Sequence, residues 1–219
     1  MNEQVIIIGS GGHAAELRDY IRHYNSHEPE QQIVVVGFID DDASTHSHYG
    51  FAEPLLGNIQ DHQVRTDVAY LMGIANLAYR RPLIEKFEAA GGKFIGLIHP
   101  TALISPSAEI GEGTVISHNA SVGPKVKIGK FNMLNSRCTI GHDTVLGDYN
   151  FISPKVALSG NTKIGNENMI GTNASTIPGA KIGNGNKVGA GMIVYKNIGD
   201  NETVFFRFKE RLVIRQGEQ

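Results

Sequence analysis

The 219-residue sequence contains one cysteine and no tryptophan. A single cysteine excludes an intrachain disulfide framework, and no CxxC pair or cysteine–histidine cluster has the spacing of a zinc site. Long apolar runs are also absent: the stretch near the start, Val5 to Ile8, is short and follows no basic region. We therefore expect neither a signal peptide nor a membrane span, no bound metal, and a reducing, cytoplasmic location.

An excess of basic residues is absent as well. The chain has 20 Lys and Arg residues against 22 Asp and Glu residues, which gives a formal net charge of −2. Nucleic acids and anionic membranes are bound through a positive field that this composition does not supply. Both are therefore excluded as expected partners.

An aliphatic residue recurs every six positions through the second half of the chain. The series has 17 members, one polar exception and no insertion or deletion. Its members are Ile98, Ile104, Ile110, Ile116, Val122, Ile128, Leu134, Ile140, Leu146, Ile152, Leu158, Ile164, Ile170, Thr176, Ile182, Val188 and Val194. Neither a helix nor an ordinary strand has this period, whereas hexapeptide repeats form parallel β-helices with three short strands per turn. We predict such a coil, of roughly five to six turns.

Glycine directly follows the aliphatic residue at nine of these positions. We interpret it as a corner residue, where the backbone turns tightly and a Cβ would clash. A second column of small or branched residues, such as Ala120, Val126 and Cys138, lies four positions after each aliphatic one. This column is predicted to point inward, so Cys138 is interpreted as core packing rather than as a nucleophile.

The first half of the chain alternates between strand and helix patterns. The predicted elements are a strand at Val5 to Ile8, a helix at Ala14 to Tyr24, strands at Ile33 to Ile39 and Val68 to Met72, a helix at Pro82 to Ala90, and a strand at Phe94 to Ile98. This order predicts a small Rossmann-like α/β domain with a parallel sheet. We place the boundary near residue 95, which gives an α/β domain at 1–95 and a coil domain with its tail at 96–219.

A glycine-rich turn joins the first strand to the first helix. Such a turn presents backbone N–H groups and the positive end of the helix to an anion, usually a phosphate. The second and third strands end at the same carboxyl edge, where parallel sheets bind ligands. The predicted pocket consists of Gly9, Gly11, Gly12, His13, Asp40, Asp41 and Gly73. Similar turns also occur in α/β domains that bind no nucleotide, and His13 is either a ligand donor or a water-exposed residue at the helix start.

His142 is the candidate general base of the coil. It follows Ile140 and Gly141 just past a corner, and Gly160 stacks 18 residues above it. The glycine is predicted to leave a notch for an acyl group, and a neutral imidazole beside the carboxylate of Asp143 is suited to accept a proton. His118 holds the same place in its own repeat, so position alone does not choose between the two histidines.

Five motifs, in this order, resemble a known family. They are Ile7-Ile8-Gly9-Ser10-Gly11-Gly12-His13, Gly37-Phe38-Ile39-Asp40-Asp41-Asp42, Ile98-His99-Pro100-Thr101-Ala102, Cys138-Thr139-Ile140-Gly141-His142-Asp143 and Val188-Gly189-Ala190-Gly191. The set spans nearly the whole chain. It resembles the sialic acid O-acetyltransferase and nucleotide-4-amino-sugar N-acetyltransferase family of hexapeptide-repeat acyltransferases.

The resemblance implies a left-handed coil that forms a homotrimer, with acetyl-CoA between neighbouring coils and a nucleotide-linked sugar in the N-terminal domain. His142 matches the family's catalytic base and Asp143 its adjoining acidic residue, while Asn135 matches a sugar-contacting asparagine. Along the groove for CoA the matching residues are Gly160, Thr172 and Ala190. In the nucleotide-sugar pocket they are Gly9, Gly12, His13, Asp40 and Asp41.

The tail departs from the family pattern. Many members close with a Gly-x-Pro-Ala-Lys segment, whereas this chain has Val204-Phe205-Phe206-Arg207-Phe208-Lys209. Two interpretations stay open. Either Phe206 and Phe208 stack on the adenine of CoA with Arg207 and Lys209 near its phosphates, or the aromatic side chains pack on the open end of the coil.

The resemblance implies transfer of an acetyl group from acetyl-CoA to the amino group of a nucleotide-linked 4-amino-4,6-dideoxy sugar. The product would serve bacterial surface glycan biosynthesis, such as that of a lipopolysaccharide O-antigen. One alternative is O-acetylation of sialic acid or another sugar hydroxyl. A second, of a different class, is a non-catalytic nucleotide-sugar-binding protein.

Overall fold

The structure, a computed structural model, describes residues 2–206. The interpretation of Arg207, Phe208 and Lys209 as contacts to CoA falls outside the described residues. The chain forms a small domain with a parallel sheet, followed by a parallel β-helix of about six turns, as the sequence predicts. Within residues 2–206 the helices are too short or too polar to cross a bilayer.

The N-terminal domain has one four-stranded sheet and three helices. Its elements are β1 (Glu3–Ile8), α1 (Gly12–His27), β2 (Ile33–Ile39), α2 (Ala43–Tyr49), β3 (Ala69–Met72), α3 (Leu77–Ala89) and β4 (Lys93–Phe94). All neighbouring strands pair in parallel in the order β2-β1-β3-β4. The apolar run Val5 to Ile8 is fully buried because β1 lies in the interior of this sheet, between helices.

Two helices differ from the sequence prediction. The helix α2 was not predicted, because none of its residues is buried and its polar sequence has no apolar face. The helix α3 begins at Leu77 rather than at Pro82, because the Asn76 side chain caps it by accepting a hydrogen bond from Ala78 N at 3.0 Å.

The predicted strand at Phe94 to Ile98 is two strands in the structure. Ile95 N donates to Tyr70 O at 3.0 Å and so still belongs to the N-terminal sheet, whereas Leu97 N donates to Thr114 O at 3.1 Å and enters the coil. The chain therefore passes from β4 into the coil within residues 95 and 96.

The strands of the coil stack into three parallel sheets that we call the first, second and third faces. The first face contains Leu97–Ile98, Val115–Ile116, Met133–Leu134, Phe151–Ile152, Met169–Ile170, Lys187–Val188 and Thr203–Val204. The second face contains Leu103–Ile104, Ser121–Val122, Thr139–Ile140, Ala157–Leu158, Ser175–Thr176 and Ile193–Val194. The third face contains Glu109–Ile110, Lys127–Ile128, Val145–Leu146, Lys163–Ile164 and Lys181–Ile182.

The second residue of each strand points inward and the first points outward, since side chains alternate along a strand. The aliphatic series forms the core from Ile116 to Val194, whereas Ile98 at the open end is 37% exposed. Cys138 is fully buried in the same core, and burial raises the pKa of its thiol to about 12. This agrees with its interpretation as a packing residue.

The glycines after the aliphatic residues avoid a Cβ clash, as predicted, but the tight turn does not lie at their own positions. The left-handed φ angles recur two residues later, at positions such as Asn119, Lys125 and Asp143, which are mostly not glycine. The repeat glycines instead lie against the next turn: a Cβ on Gly141 would be 2.6 Å from Gly160 N. Close stacking of successive turns, rather than a left-handed backbone, requires glycine there.

Four buried asparagines form a ladder through the core at a spacing of one turn, and the sequence analysis missed them. They are Asn132, Asn150, Asn168 and Asn186, each at most 1% exposed. Each Oδ1 accepts the backbone N–H of the next member or, at the end, of Glu202. Each Nδ2 donates to a backbone carbonyl one turn on, as Asn168 does to Gly183 O at 2.9 Å. The asparagine side chains therefore supply hydrogen-bond partners to backbone N–H and C=O groups that are buried at this corner.

The N-terminal domain packs on the first face and on the corner between the third and first faces. Phe94 meets Phe131 of the coil edge-on, with ring centroids 5.4 Å apart. The buried Arg80 donates to Ile74 O at 2.9 Å and to Phe131 O at 3.3 Å, and Arg81 forms an ion pair with Glu167. The first turns of the first face, at Leu97, Val115 and Met133, are thus covered within the chain.

The two other faces present different outer surfaces. The outward residues of the second face carry no charge: Leu103, Ser121, Thr139, Ala157, Ser175 and Ile193. Four of the five outward residues of the third face are charged: Glu109, Lys127, Lys163 and Lys181. Leu103 and Ile193 are 75% and 52% exposed in the single chain, so the second face has apolar surface that is left uncovered.

Candidate active site

His142 and Asp143 form a hydrogen-bonded pair at the corner that follows the second face. Asp143 has a left-handed φ of 56°, and its N–H donates to Pro124 O at 2.9 Å. The Asp143 carboxylate lies 2.8 Å from Nδ1 of His142. When Nδ1–H donates to this carboxylate, Nε2 keeps its lone pair and is free to accept a proton. Both side chains are well exposed, so a substrate can reach them.

Gly160, one turn further along the coil, lies directly against the imidazole of His142. A Cβ at Gly160 would be 2.6 Å from Nε2 and 2.7 Å from Cε1. The stacking predicted from the spacing of 18 residues is therefore present, but the ring itself fills the predicted notch. The absence of a Cβ at Gly160 is what lets Nε2 take this position.

The other coil residues predicted to bind ligands lie at the corner before the second face. Asn135 donates through Nδ2 to Ile152 O at 2.9 Å, which fixes its amide plane. Thr172 and Ala190 are exposed on later turns of the same corner. Within one chain the second face therefore separates Asn135, Thr172 and Ala190 from His142 and Gly160.

Gly9 and Gly73 meet at the carboxyl edge of the N-terminal sheet. Gly9 has a φ of 95°, a conformation that favours glycine, and a Cβ there would be 3.3 Å from the Gly73 carbonyl. A Cβ at Gly73 would be 2.8 Å from Ile8 O. These two residues thus let the loops after β1 and β3 approach each other closely.

Gly11 and Gly12 form the start of α1. Gly11 is the N-cap residue and has no side chain to cap the helix, and among the described residues no atom outside its chain neighbours lies within 4 Å of the position that its Cβ would take. At Gly12 the corresponding space is bounded by the hydroxyl of Tyr49, which would be 2.8 Å from a Cβ. Backbone donors at a helix N-terminus are therefore available beside open space.

Asp40 and Asp41 hold the loops of the pocket together. Oδ2 of Asp40 accepts from Ser10 N at 2.6 Å and from Ser10 Oγ at 2.9 Å, and its Oδ1 accepts from Asp42 N at 2.9 Å. Oδ1 of Asp41 accepts from Ile59 N at 2.9 Å. N–H and O–H groups of the protein thus occupy most of the acceptor positions of the Asp40 carboxylate. Asp40 therefore shapes the pocket wall more than it offers oxygens to a ribose.

His13 is not the water-exposed helix-start residue of the second interpretation, because its side chain is only 9% exposed. Nδ1 lies 3.4 Å from Oε2 of Glu16, whereas Nε2 is buried and has no hydrogen-bond partner among the described residues. Burial, more than any other influence, lowers the pKa of His13 below its ordinary value. A buried ring nitrogen without a partner at the start of α1 is suited to meet a ligand oxygen.

His118 is tied to the N-terminal domain. Its Nδ1 lies 3.2 Å from the hydroxyl of Tyr20 in α1, and its ring packs edge-on against Tyr20 and His99. His23 of α1 stacks on His99 with centroids 4.7 Å apart. These pairings could not be predicted from the sequence, because they join distant segments, such as Tyr20 and His118, which are 98 residues apart. Position within the repeat is therefore shared by His118 and His142, but only His142 has a neighbouring carboxylate hydrogen-bonded to its ring.

A cleft of about 720 Å³ opens between the start of α3 and the coil. Asn76, Arg81, Tyr149, Glu167 and Lys187 are among the residues that line it. None of the predicted site residues is among them, so the cleft belongs to the domain junction. No cluster of His, Cys, Asp or Glu in residues 2–206 has an arrangement that could hold a metal ion.

Comparisons with known proteins agree with this fold. Residues 4–87 match the family model described as the PglD N-terminal domain. The acetyltransferase domain of PglB from Neisseria gonorrhoeae, solved in complex with acetyl coenzyme A, is 30% identical, with a TM-score of 0.78 over 93% of this chain and 96% of that one. This chain belongs to the same family of nucleotide-sugar acetyltransferases.

Two further relatives are associated with different nucleotide-linked sugars. PerB from Caulobacter crescentus, solved with CoA and GDP-perosamine, is 26% identical, with a TM-score of 0.79 over 91% of this chain and 92% of that one. A UDP-N-acetylbacillosamine N-acetyltransferase of Bacillus subtilis is 33% identical over 116 residues. That match spans 52% of this chain and about half of the curated relative, 51%.

Proposed function

We propose that the protein transfers the acetyl group of acetyl-CoA to the amino group of a nucleotide-linked 4-amino-4,6-dideoxy sugar, for bacterial surface glycan biosynthesis. The observation that carries the proposal is the exposed His142–Asp143 pair, with Nδ1 held at 2.8 Å and Nε2 directed over Gly160. The substrates named for PglB and PerB support acetyl-CoA and a nucleotide-linked amino sugar as the reactants.

The reaction is a direct acyl transfer. The sugar amine attacks the thioester carbonyl carbon, Nε2 of His142 takes the proton from the attacking nitrogen, and the C–S bond breaks to release CoA, whose sulfur receives a proton. Asp143 orients the ring and stabilises the imidazolium that forms. Cys138 takes no part, because its thiol is buried in the core of the coil.

The proposed assembly is a homotrimer that packs through the second face. Its uncharged outward residues suit burial against copies of the chain, whereas the lysines of the third face suit water. In a cyclic trimer with parallel coils, the corner before the second face of one chain approaches the corner after the second face of its neighbour. Asn135 and His142 lie on the same turn of the coil and thus at the same height.

This assembly unites the site residues that one chain keeps apart. Asn135 of one protomer would face His142 of its neighbour, and the groove above them would pass Gly160 on one side and Thr172 and Ala190 on the other. Acetyl-CoA is proposed to lie in this groove. The acceptor pocket around His13 is connected through Glu16, Tyr20 and His118 to the corner before the second face, where Asn135 also lies. It therefore opens toward the same groove.

The domains proposed for these roles are 1–95 for the nucleotide-linked sugar and 96–219 for acetyl transfer. We place the reaction in the cytoplasm, where acetyl-CoA is available and the lone cysteine stays reduced.

Turnover of acetyl-CoA tests the function. The purified protein is given UDP-, GDP- and dTDP-linked 4-amino sugars and, separately, free sialic acid, and release of the CoA thiol is followed. We expect release with at least one nucleotide-linked amino sugar and an amide in the product by mass spectrometry. Acetylation of sialic acid alone would support the O-acetyltransferase alternative. Binding of a nucleotide sugar without thiol release would support a non-catalytic binding protein.

A further inference from the structure

Tyr49, the last residue of α2, lies over the start of α1. Tyr49 is 45% exposed. A Cβ on Gly12 would lie 2.8 Å from the Tyr49 hydroxyl oxygen and 3.6 Å from its Cζ. The absence of a side chain at Gly12 is thus what allows the phenol to reach the glycine-rich turn. No sequence motif of the chain included this tyrosine.

The start of α1 offers hydrogen-bonding groups to a ligand. Gly11, the N-cap residue, has no side chain to accept from the first backbone N–H groups of α1, and the space that its Cβ would occupy is open among the described residues. Nε2 of His13, in a side chain that is only 9% exposed, is buried and unpaired. A helix N-terminus and a buried, unpaired imidazole nitrogen together indicate a ligand that supplies acceptor oxygens.

Two acidic residues fix α2 against the turn. The Asp40 carboxylate accepts from Ser10 in the turn and from Thr45 Oγ1 in α2, at 3.2 Å. Asp42 caps α2 by accepting from Ser44 N at 2.9 Å. Tyr49 therefore has a defined place relative to Gly11 and Gly12, although no residue of α2 is buried.

We propose that Tyr49 is a specificity-determining residue of the acceptor pocket, and that its hydroxyl donates a hydrogen bond to a phosphate oxygen of the nucleotide-linked sugar. The inference deepens the proposed function and rests on it. A phosphate at the start of α1 meets backbone N–H groups from below, and the phenol adds a neutral donor from the opposite side. Hydrogen bonds to a charged acceptor are the strong ones, so this single donor contributes measurably to binding.

The substitution Y49F removes the hydroxyl and keeps the ring. We expect the KM for the nucleotide-linked sugar to rise about tenfold, as for loss of one hydrogen bond to a charged group. The kcat and the KM for acetyl-CoA should stay within the error of the wild type. The matched control is Y79F, which removes the hydroxyl of a tyrosine on α3 that is 61% exposed and should change neither KM.

Calorimetry with a nucleoside diphosphate measures the same contact without turnover. The Kd of the wild type for UDP, GDP or dTDP, whichever binds, should rise in Y49F by about the same factor as the KM. In G12A the new Cβ displaces the phenol, so G12A and Y49F should not be additive in a double-mutant cycle.

The outcomes separate the inference from the proposed function. An active wild type whose KM and Kd are unchanged in Y49F, or whose G12A and Y49F effects add, overturns the role of Tyr49 and leaves the proposed function standing. Diphosphate binding that weakens in Y49F, in a protein that acetylates no sugar, overturns the proposed function and supports the inference.

Discussion

Replacement of His142 by asparagine isolates the proton transfer. The asparagine amide can still donate to Asp143, so the corner keeps its hydrogen bond, but no atom takes the place of Nε2 as a base. Positioned general-base catalysis contributes about 10²- to 10⁴-fold, so kcat should fall by that factor. This corresponds to about 3 to 5.5 kcal/mol of lost transition-state stabilisation.

The side chain is well exposed, which separates catalysis from stability. A surface substitution without packing consequences changes the free energy of unfolding by no more than about 0.5 kcal/mol. We therefore expect the assembly state by light scattering and the KM for acetyl-CoA to be kept. The substitution Gly160→Ala should lower kcat in the same direction, because its Cβ would displace the imidazole from a position 2.6 Å away.

The assay is the rate of CoA thiol release at saturating acetyl-CoA. His118→Asn is the matched control, since it changes a histidine at the same place in the repeat that is bound to Tyr20 instead of a carboxylate. Retention of more than about a tenth of kcat in His142→Asn, or a larger loss in His118→Asn, would refute the assignment.

Three further predictions concern the asparagine ladder, Cys138 and His13. Asn168→Ala should destabilise the coil by about 3 kcal/mol, because it removes the side-chain hydrogen bonds to Asn186 N, Asn186 Nδ2 and Gly183 O at a buried corner. The exposed Asn166→Ala should cost much less, and equal shifts in urea unfolding would contradict this. Cys138, whose pKa burial raises to about 12, should resist thiol reagents at pH 8 in the native protein and react once unfolded; fast native labelling would show that the thiol is accessible. Because burial lowers the pKa of His13, the unfolded chain binds a proton there more readily. The stability associated with His13 is therefore full above the unfolded pKa and is lost as pH falls below it, and His13→Asn should lessen the acid sensitivity of thermal unfolding.

The sequence predicts the coil well because its period is long and unbroken. Each inward aliphatic residue, such as Ile140 or Leu158, has its place fixed by a step of six, and the triangular cross-section follows from that step. The stacking of Gly160 on His142 follows from the same step, because the two residues are 18 positions, or one turn, apart. Residues one turn apart must lie above one another in any such coil.

Features that depend on the detail of backbone and side-chain geometry could not be predicted in this way. A Cβ clash at the repeat glycines was predicted, and the structure shows that the clash is with the next turn of the coil; the tight turn predicted at the same position falls two residues later, at positions such as Asp143. The asparagines from Asn132 to Asn186 recur every 18 residues, but a pattern of apolar residues alone does not include them. Polar inward residues are found only when hydrogen bonding along the corner is considered together with hydrophobicity.

Contacts between distant segments were the least predictable. The pairing of Tyr20 with His118 and the place of Tyr49 over Gly12 depend on how helices dock, and no periodicity records that. The same holds for Asp40, whose position at the end of β2 was predicted but whose carboxylate is bound mainly by Ser10. An acidic residue at a strand end can bind a ligand or hold a loop, and only the structure distinguishes the two.

Mixed trimers test most directly the claim that each active site is built from two chains. His142→Asn chains, which lack the base, are co-expressed with Gly12→Asp chains, whose carboxylate would repel a phosphate at the start of α1. If His142 of one protomer acts on a sugar held by its neighbour, each mixed trimer regains one intact site in three, and an equal statistical mixture has about a quarter of the wild-type activity. Mixed trimers that are verified by native mass spectrometry and remain as inactive as either parent would contradict the account.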